Sequence, residues 1–201
     1  MIQTIANAFT VPDIRRKIMF TAAILALYRL GAYIPSPGVD VDTVKSIEEN
    51  FGGSNILGFL NLFSGGSLSR LSLFALGIMP YITASIILQL LTVVVPSLER
   101  LQKEGEVGQQ KITQYTRYLT VALAFGQSLG YVFLFRSFQD QAGSSVVGTL
   151  TFTKTFLIVI CLTAGCTLLM WMGELITQRG IGNGISLLIF ASILSGLPGG
   201  I

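Results

Sequence analysis

The chain has 201 residues, 51% of them apolar and only 11% charged, where a soluble domain carries about a quarter charged residues. That balance excludes an ordinary water-soluble globule, and the formal charge of +3 does not indicate nucleic-acid binding, because no element gathers the Lys and Arg into one face. The absence of any His excludes histidine-based acid–base and metal chemistry.

The charged residues are bunched between long uncharged runs. A bilayer core takes roughly 20 mostly apolar residues as a helix, and five runs of that kind follow one another. Residues 1–17 form an amino tail ending in Arg15, Arg16 and Lys17. The first expected span, residues 18–34, holds one charge, Arg29. A twin arginine ahead of an apolar stretch also marks export signals. Here, however, the stretch outlasts a signal core, and Pro35 and Pro37 end it at a turn where a cleavage site would stand. Arg29 lies about 6–9 Å of helical rise from that end, so it can snorkel to the headgroups or point into a bundle.

Residues 35–70 form an external segment. Within it, Asn55 to Ser69 (NILGFLNLFSGGSLS) is uncharged but too short to cross, since a helix of that length rises only about 22 Å. Gly52-Gly53 and Gly65-Gly66 bracket most of it with flexible backbone. A half-inserted segment is the expected form, tolerated at membrane depth only where protein or a water-filled cavity surrounds it. The alternative is an amphipathic helix on the outer surface.

The second expected span, residues 71–95, carries no charge, but Gly77, Pro80, Thr83, Ser85 and Gln89 interrupt its Ile and Leu. Pro80 is expected to bend it. Ile78, Ile82 and Ile86 repeat at four-residue spacing and share a face. Such a face more often meets lipid or a helix; lining a pore, it would close it by excluding water. Residues 96–117, with KEGE at Lys103 to Glu106, read as a solvated loop with a short helix. Glu104 and Glu106 stand two apart and would not share a helix face.

The third span is expected at 118–135, an external loop at 136–154, the fourth span at 155–173, a turn at 174–183 and the fifth span at 184–201, within an uncharged run that starts at Gly180. Cys161 and Cys166, five apart inside the fourth span, fit neither a zinc knuckle nor a thiol redox motif and read as packing residues. GIGNG at Gly180 to Gly184 follows no strand, so it is a tight turn and not a dinucleotide fingerprint. No phosphate-binding loop is present. No catalytic residue, metal site or cofactor is therefore expected, and the chain reads as a non-enzyme. Eight Lys and Arg fall on the side of the amino terminus and four on the other, which predicts a cytoplasmic amino terminus.

Two stretches are more specific. FSGGSLSRLSLFALGIMPYITASIILQLLTVVVPSLERLQKEGE (Phe63 to Glu106) and MWMGELITQRGIGNGISLLIF (Met170 to Phe190) closely resemble the SecY family of bacterial protein translocase channel subunits. The resemblance implies an all-α integral membrane fold: five transmembrane helices plus a half-inserted plug, the first half of a ten-helix inverted-repeat channel around an hourglass pore. It aligns Ile78, Ile82 and Ile189 with pore-ring positions. It aligns the plug with Asn55, Ile56, Leu57, Gly58, Phe59, Leu60, Asn61, Leu62, Phe63, Ser64, Gly65, Gly66, Ser67, Leu68 and Ser69, with Gly65-Gly66 at a hinge. It offers Thr83, Ile86, Ile87, Gln89 and Gln127 as one side of a lateral gate. The implied function is passage of unfolded secretory polypeptides across the plasma membrane, with membrane segments released sideways into lipid. The implied partners are SecE and SecG, a SecA ATPase or a translating ribosome, signal sequences, membrane lipids, and the second half of the same channel. Many relatives carry basic residues where this chain has Gln109 and Gln110.

Two rival readings come from other classes. Half of a solute transporter would call for charges near the midplane, whereas Arg29 lies near one end of its span and Glu174 at the edge of another. In a purely structural membrane subunit, Gly77 and Pro80 would be packing devices.

Overall fold

The computed structural model describes residues 11–37, 61, 64–68, 71–142 and 152–196, with the side chains of 135–142 and 196 left aside. Of the expected plug, Asn55 to Leu60, Leu62, Phe63 and Ser69 lie outside the described residues, as do most of the amino tail, residues 143–151 of the 136–154 loop and the last five residues of the fifth span. The described part is helical: α1 (Pro12–Tyr33), α2 (Met79–Val94), α3 (Pro96–Lys103), α4 (Glu106–Ala142), α5 (Phe152–Arg179) and α6 (Gly184–Gly196). Among the described residues there is no strand, only an isolated bridge between Pro35 and Ser72.

The helix boundaries depart from the sequence expectation for identifiable reasons. Helix α2 starts at Met79, not Leu71, because the chain turns at Leu71 (φ 40°) and Gly77 (φ 57°), two left-handed residues that a helix cannot accommodate. Pro80 therefore does not bend a long helix. It sits in the first turn of α2, where its missing N–H would have had no helical partner anyway. The sharp bend comes at the other end, where α2 and α3 meet at 99°. Pro96 restricts the residue before it to extended backbone, and Val95 is extended, at φ −99° and ψ 112°. The expected loop at 96–117 is instead α3, a turn at Glu104-Gly105, and the first turns of α4. Charged residues sit on those turns because length, not apolarity, carries the helix beyond its uncharged stretch.

Helix α4 packs against both α2 and α5, and α5 against α6 and α1. The non-helical stretches 64–68 and 71–78 are threaded into this bundle, and two glycines make room for the second. A Cβ at Gly165 of α5 would overlap the Leu73 carbonyl, and one at Gly31 of α1 would overlap the Phe74 ring. Leu68, Leu71, Ala75 and Leu76 pack with Ala124, Ile158, Leu162 and Cys166 on one side of the run. Phe74 and Ile78 join Tyr28, Leu169, Ile176 and Leu188 on the other. Both cysteines are free, and Cys166 is a core residue at 1% exposure.

The α5–α6 turn is tight. Gly182 takes φ 66°, Gly184 lies against the Gly173 carbonyl, and Asn183 Oδ1 caps α6 by accepting from the N–H of Ile185 (3.0 Å) and Ser186 (3.3 Å). By length and composition α5 can cross a membrane alone, and α2 with α3 passes only as a bent pair. Helix α1 does not pass that measure, since Arg16, Lys17 and Arg29 fall in any 18-residue stretch of it. Large apolar side chains stand open around the bundle, Phe152 at 85% and Val93 at 78% exposure among them.

These close approaches make a direct prediction. Gly165→Ala and Gly31→Ala should each lower the thermal unfolding stability of the detergent-solubilised protein by about 2 kcal/mol. Gly126→Ala, on α4 with nothing within 4 Å of the new methyl, should leave it unchanged or slightly raised.

Candidate functional site

The three isoleucines singled out as ring residues come from two distant parts of the chain and meet in one apolar cluster. Ile78 is the residue before α2, Ile82 lies one turn into it, and Ile189 is on α6; Ile78 belongs to the buried cluster around Tyr28, Phe74 and Leu188, and Ile82 and Ile189 pack against that cluster. They are not equally open. Ile78 is buried at 7% exposure, while Ile82 and Ile189 are half-buried. The Ile82 N–H donates to the Ile78 carbonyl (3.1 Å), so the two stand one above the other as their spacing requires.

Beside this cluster, the described part of the plug stretch is held by α1 and α6. Gly65 (φ 64°) and Gly66 (φ 79°) form a left-handed pair that residues with side chains rarely adopt. The Gly66 N–H donates to the Asn61 carbonyl (2.9 Å). Ser64 Oγ donates to that same carbonyl (3.0 Å) and accepts from the Leu68 N–H (3.0 Å). Arg29 Nη1 donates to the Gly65 carbonyl (3.1 Å), and Nη2 donates to Tyr33 Oη (3.2 Å). Its guanidinium also lies over the Tyr33 ring, 5.1 Å from the centroid. Of the two orientations open to Arg29, the structure shows the one turned toward protein.

Tyr28, the residue before it, has its hydroxyl 2.6 Å from Ser192 Oγ on α6. Ser192 spends its own proton on the Leu188 carbonyl (2.8 Å), and a hydroxyl has only one to give, so Tyr28 is the donor. A Cβ on Gly65 would stand 2.9 Å from Ser195 Oγ and 3.2 Å from both the Ser192 carbonyl and Tyr28 Oη.

The gate candidates are spread over different surroundings. On α2, Thr83 is half-buried and donates to the Met79 carbonyl (3.0 Å), Ile86 is exposed at 52%, and Ile87 is half-buried. These three share a helix face by their spacing. Gln89 stands apart from them: with Ser85, Thr92, Gln102, Gln109 and Thr113 it lines a polar cavity of about 280 Å³ among α2, α3 and α4. Gln127 is half-buried on α4.

The family model for SecY matches residues 72–201. The chain belongs to the SecY family. Curated relatives described as protein translocase subunit SecY include one from Streptomyces coelicolor, 53% identical over 98% of this chain and 46% of its own length. Another, from Corynebacterium glutamicum, is 54% identical over 96% of this chain and 45% of its own. The chain thus spans about half the length of the curated relatives it matches. Among solved structures, the Sec61 of a canine ribosome–channel complex from the endoplasmic reticulum aligns with a TM-score of 0.59 at 21% identity, covering 94% of this chain and 40% of that one. A structure described as a protein-conducting channel aligns with the same values. At that identity both likenesses establish the fold.

Two further parts of this SecY-family chain are not evident from sequence spacing. Tyr28 and Ser192 are 164 positions apart, and the only signal for their pairing is that a tyrosine within an apolar span needs a partner for its hydroxyl. The second is an ion pair joining α4 to α5. Arg117 Nε donates to Glu174 Oε1 (2.8 Å) and Nη2 to Oε2 (2.6 Å), a bidentate fork, with Gln114 Oε1 accepting from Nη1 (3.2 Å).

Glu174 is 12% exposed and Arg117 37%, so solvent over Arg117 keeps the pair below the strength of a fully buried one. Glu174→Ala should lower unfolding stability by about 2 kcal/mol. A double-mutant cycle with Arg117→Ala, read by thermal unfolding in detergent, should show that most of that loss is shared between the two residues.

Proposed function

We propose that this chain supplies one half of a protein-conducting channel in the bacterial plasma membrane, with its amino terminus in the cytoplasm and five membrane-crossing helices. The observation that carries the reading is the meeting of Ile78, Ile82 and Ile189 in one cluster, in a chain of the SecY family. Ile82 and Ile189, half-buried, present the open edge of a ring, and Ile78 backs them from inside. Branched alkyl groups facing one another exclude water and ions, yet yield around an extended polypeptide of varying width. The segment Asn55 to Ser69 plugs the external side at rest. Thr83, Ile86 and Ile87, on one face of α2, and Gln127 lie along the gate through which signal sequences and membrane segments pass into lipid, with Gln89 on the polar cavity behind them.

No step in this mechanism asks for a catalytic group. Driving force comes from outside the chain, from a SecA ATPase or a translating ribosome, and SecE and SecG together with the second half of the channel complete the pore. The membrane reading draws on the uncharged runs, on the exposed apolar side chains around the bundle, and on the fold shared with Sec61. With Arg29 occupied by the Gly65 carbonyl and Tyr33, the bundle offers no free midplane charge among the described residues for solute coupling.

The test is conductance in planar bilayers of the full-length channel with Ile78, Ile82 and Ile189 all changed to Ser. The expected result is a resting ion leak at least tenfold above the parent with assembly intact. Unchanged conductance would make the three isoleucines ordinary packing residues and remove the pore reading.

A further inference from the structure

We infer that Arg29, with Tyr28 beside it, is the positioning residue that seats the Gly65 turn against α6 and keeps the resting channel closed; this rests on the channel reading above. The turn has hydrogen bonds of its own, but the backbone around it is held against local preference. Among the described residues the hydroxyls of Ser67 and Ser72 are buried without a hydrogen-bond partner, as is that of Ser36 beside them, and Leu71 is forced to φ 40°. Unpaired buried hydroxyls and left-handed backbone at a residue bearing a side chain both favour leaving such a conformation. Contacts from outside the turn must therefore outweigh them.

Apolar packing and the Pro35–Ser72 bridge hold residues 68 and 71–76, and the Gly65 turn itself is met by α1 and α6. The Gly65 carbonyl accepts from Arg29 Nη1, a charge-assisted bond of the stronger kind. The Gly65 Cα faces Ser195 Oγ, the Ser192 carbonyl and Tyr28 Oη closely enough that a methyl would not fit without shifting them. Tyr28 Oη in turn donates to Ser192 Oγ, so α1 and α6 are tied together behind the glycine. An ionised side chain within an apolar bundle is expected to have a partner that justifies its presence. For Arg29 the partners are this carbonyl and Tyr33, and no carboxylate is paired with it among the described residues. A backbone carbonyl can be given up and regained without leaving two opposite charges stranded, which suits a contact that has to break and re-form.

The seat is tested by resting ion conductance of the full-length channel in planar bilayers, with Arg29→Gln, Arg29→Lys and Tyr28→Phe compared with the parent. Arg29→Gln is expected to raise resting conductance about tenfold, the equivalent of about 1.4 kcal/mol. Tyr28→Phe, which removes one oxygen and keeps the ring stacked on Phe74 (centroids 5.8 Å apart), is expected to raise it about threefold and to fold even if the Gln variant does not. Arg29→Lys keeps a charged donor and should stay within threefold of the parent. Parental conductance in both Arg29→Gln and Tyr28→Phe would overturn the assignment. So would a Lys variant that leaks as much as Gln, because the effect would then come from packing on Tyr33. If the triple isoleucine variant leaks while these do not, the seat is wrong and the channel reading stands; if the triple variant is silent as well, the channel reading has failed.

Discussion

The fold depends on a length of non-helical backbone being admitted into the middle of a helix bundle. Residues 71–78 run between α1 and α5 where Gly31 meets the Phe74 ring and Gly165 meets the Leu73 carbonyl, and a side chain at either glycine would push the run out. Backbone N–H and C=O groups taken from water need partners. This run finds several in the Pro35–Ser72 bridge, where the Ser36 N–H donates to the Leu71 carbonyl and the Leu73 N–H to the Ile34 carbonyl, both at 3.0 Å. From that placement the start of α2, the position of Ile78 and the seat of Gly65 all follow.

The same admission divides the core. Leu68, Leu71, Ala75 and Leu76 join the α4–α5 side, while Phe74 and Ile78 join the α1–α6 side. One short irregular segment therefore couples all the long helices. It is held against local preference: among the described residues its Ser67 and Ser72 hydroxyls lie buried without partners and Leu71 is left-handed. Locally unfavourable geometry of this kind persists only where the surroundings over-determine it, and it gathers where a protein moves. The long helices, by contrast, satisfy their hydroxyls internally, as Thr116, Thr120, Thr163 and Thr167 each donate to a carbonyl one turn back.

How much of this was legible beforehand follows from the range of each interaction. Uncharged runs announce helices, so each of the five runs contains one, and the Gly180 to Gly184 turn was readable because glycine and asparagine act locally. Helix ends were harder. Leu71 looks like the start of a span by hydropathy, and only the tertiary bridge to Pro35 shows why it is not. Pro80 and Pro96 carry the same local rule and each stands at the start of a helix, yet only Pro96 also ends one, because a helix runs up to it while left-handed backbone precedes Met79. The isoleucine cluster was reachable through resemblance and spacing together. Tyr28, Ser192 and Ser195 were not, because a hydrogen bond between α1 and α6 leaves no periodic trace in either helix.

Two kinds of attraction meet at the proposed pore, and their physics suits opposite tasks. Apolar contact is non-directional and scales with area, so a ring of Ile78, Ile82 and Ile189, as proposed, would tolerate a change in what passes and reseal without a unique geometry. The bonds at Gly65 are directional and lose strength steeply with angle and distance, so they define one position and little else. A ring built of hydrogen bonds would hold water and select for one shape of passenger. A turn held only by apolar packing would slide. Placing the branched alkyl groups where width must vary, and the Arg29 and Tyr28 donors where a single resting position is wanted, assigns each interaction to the job its distance dependence allows.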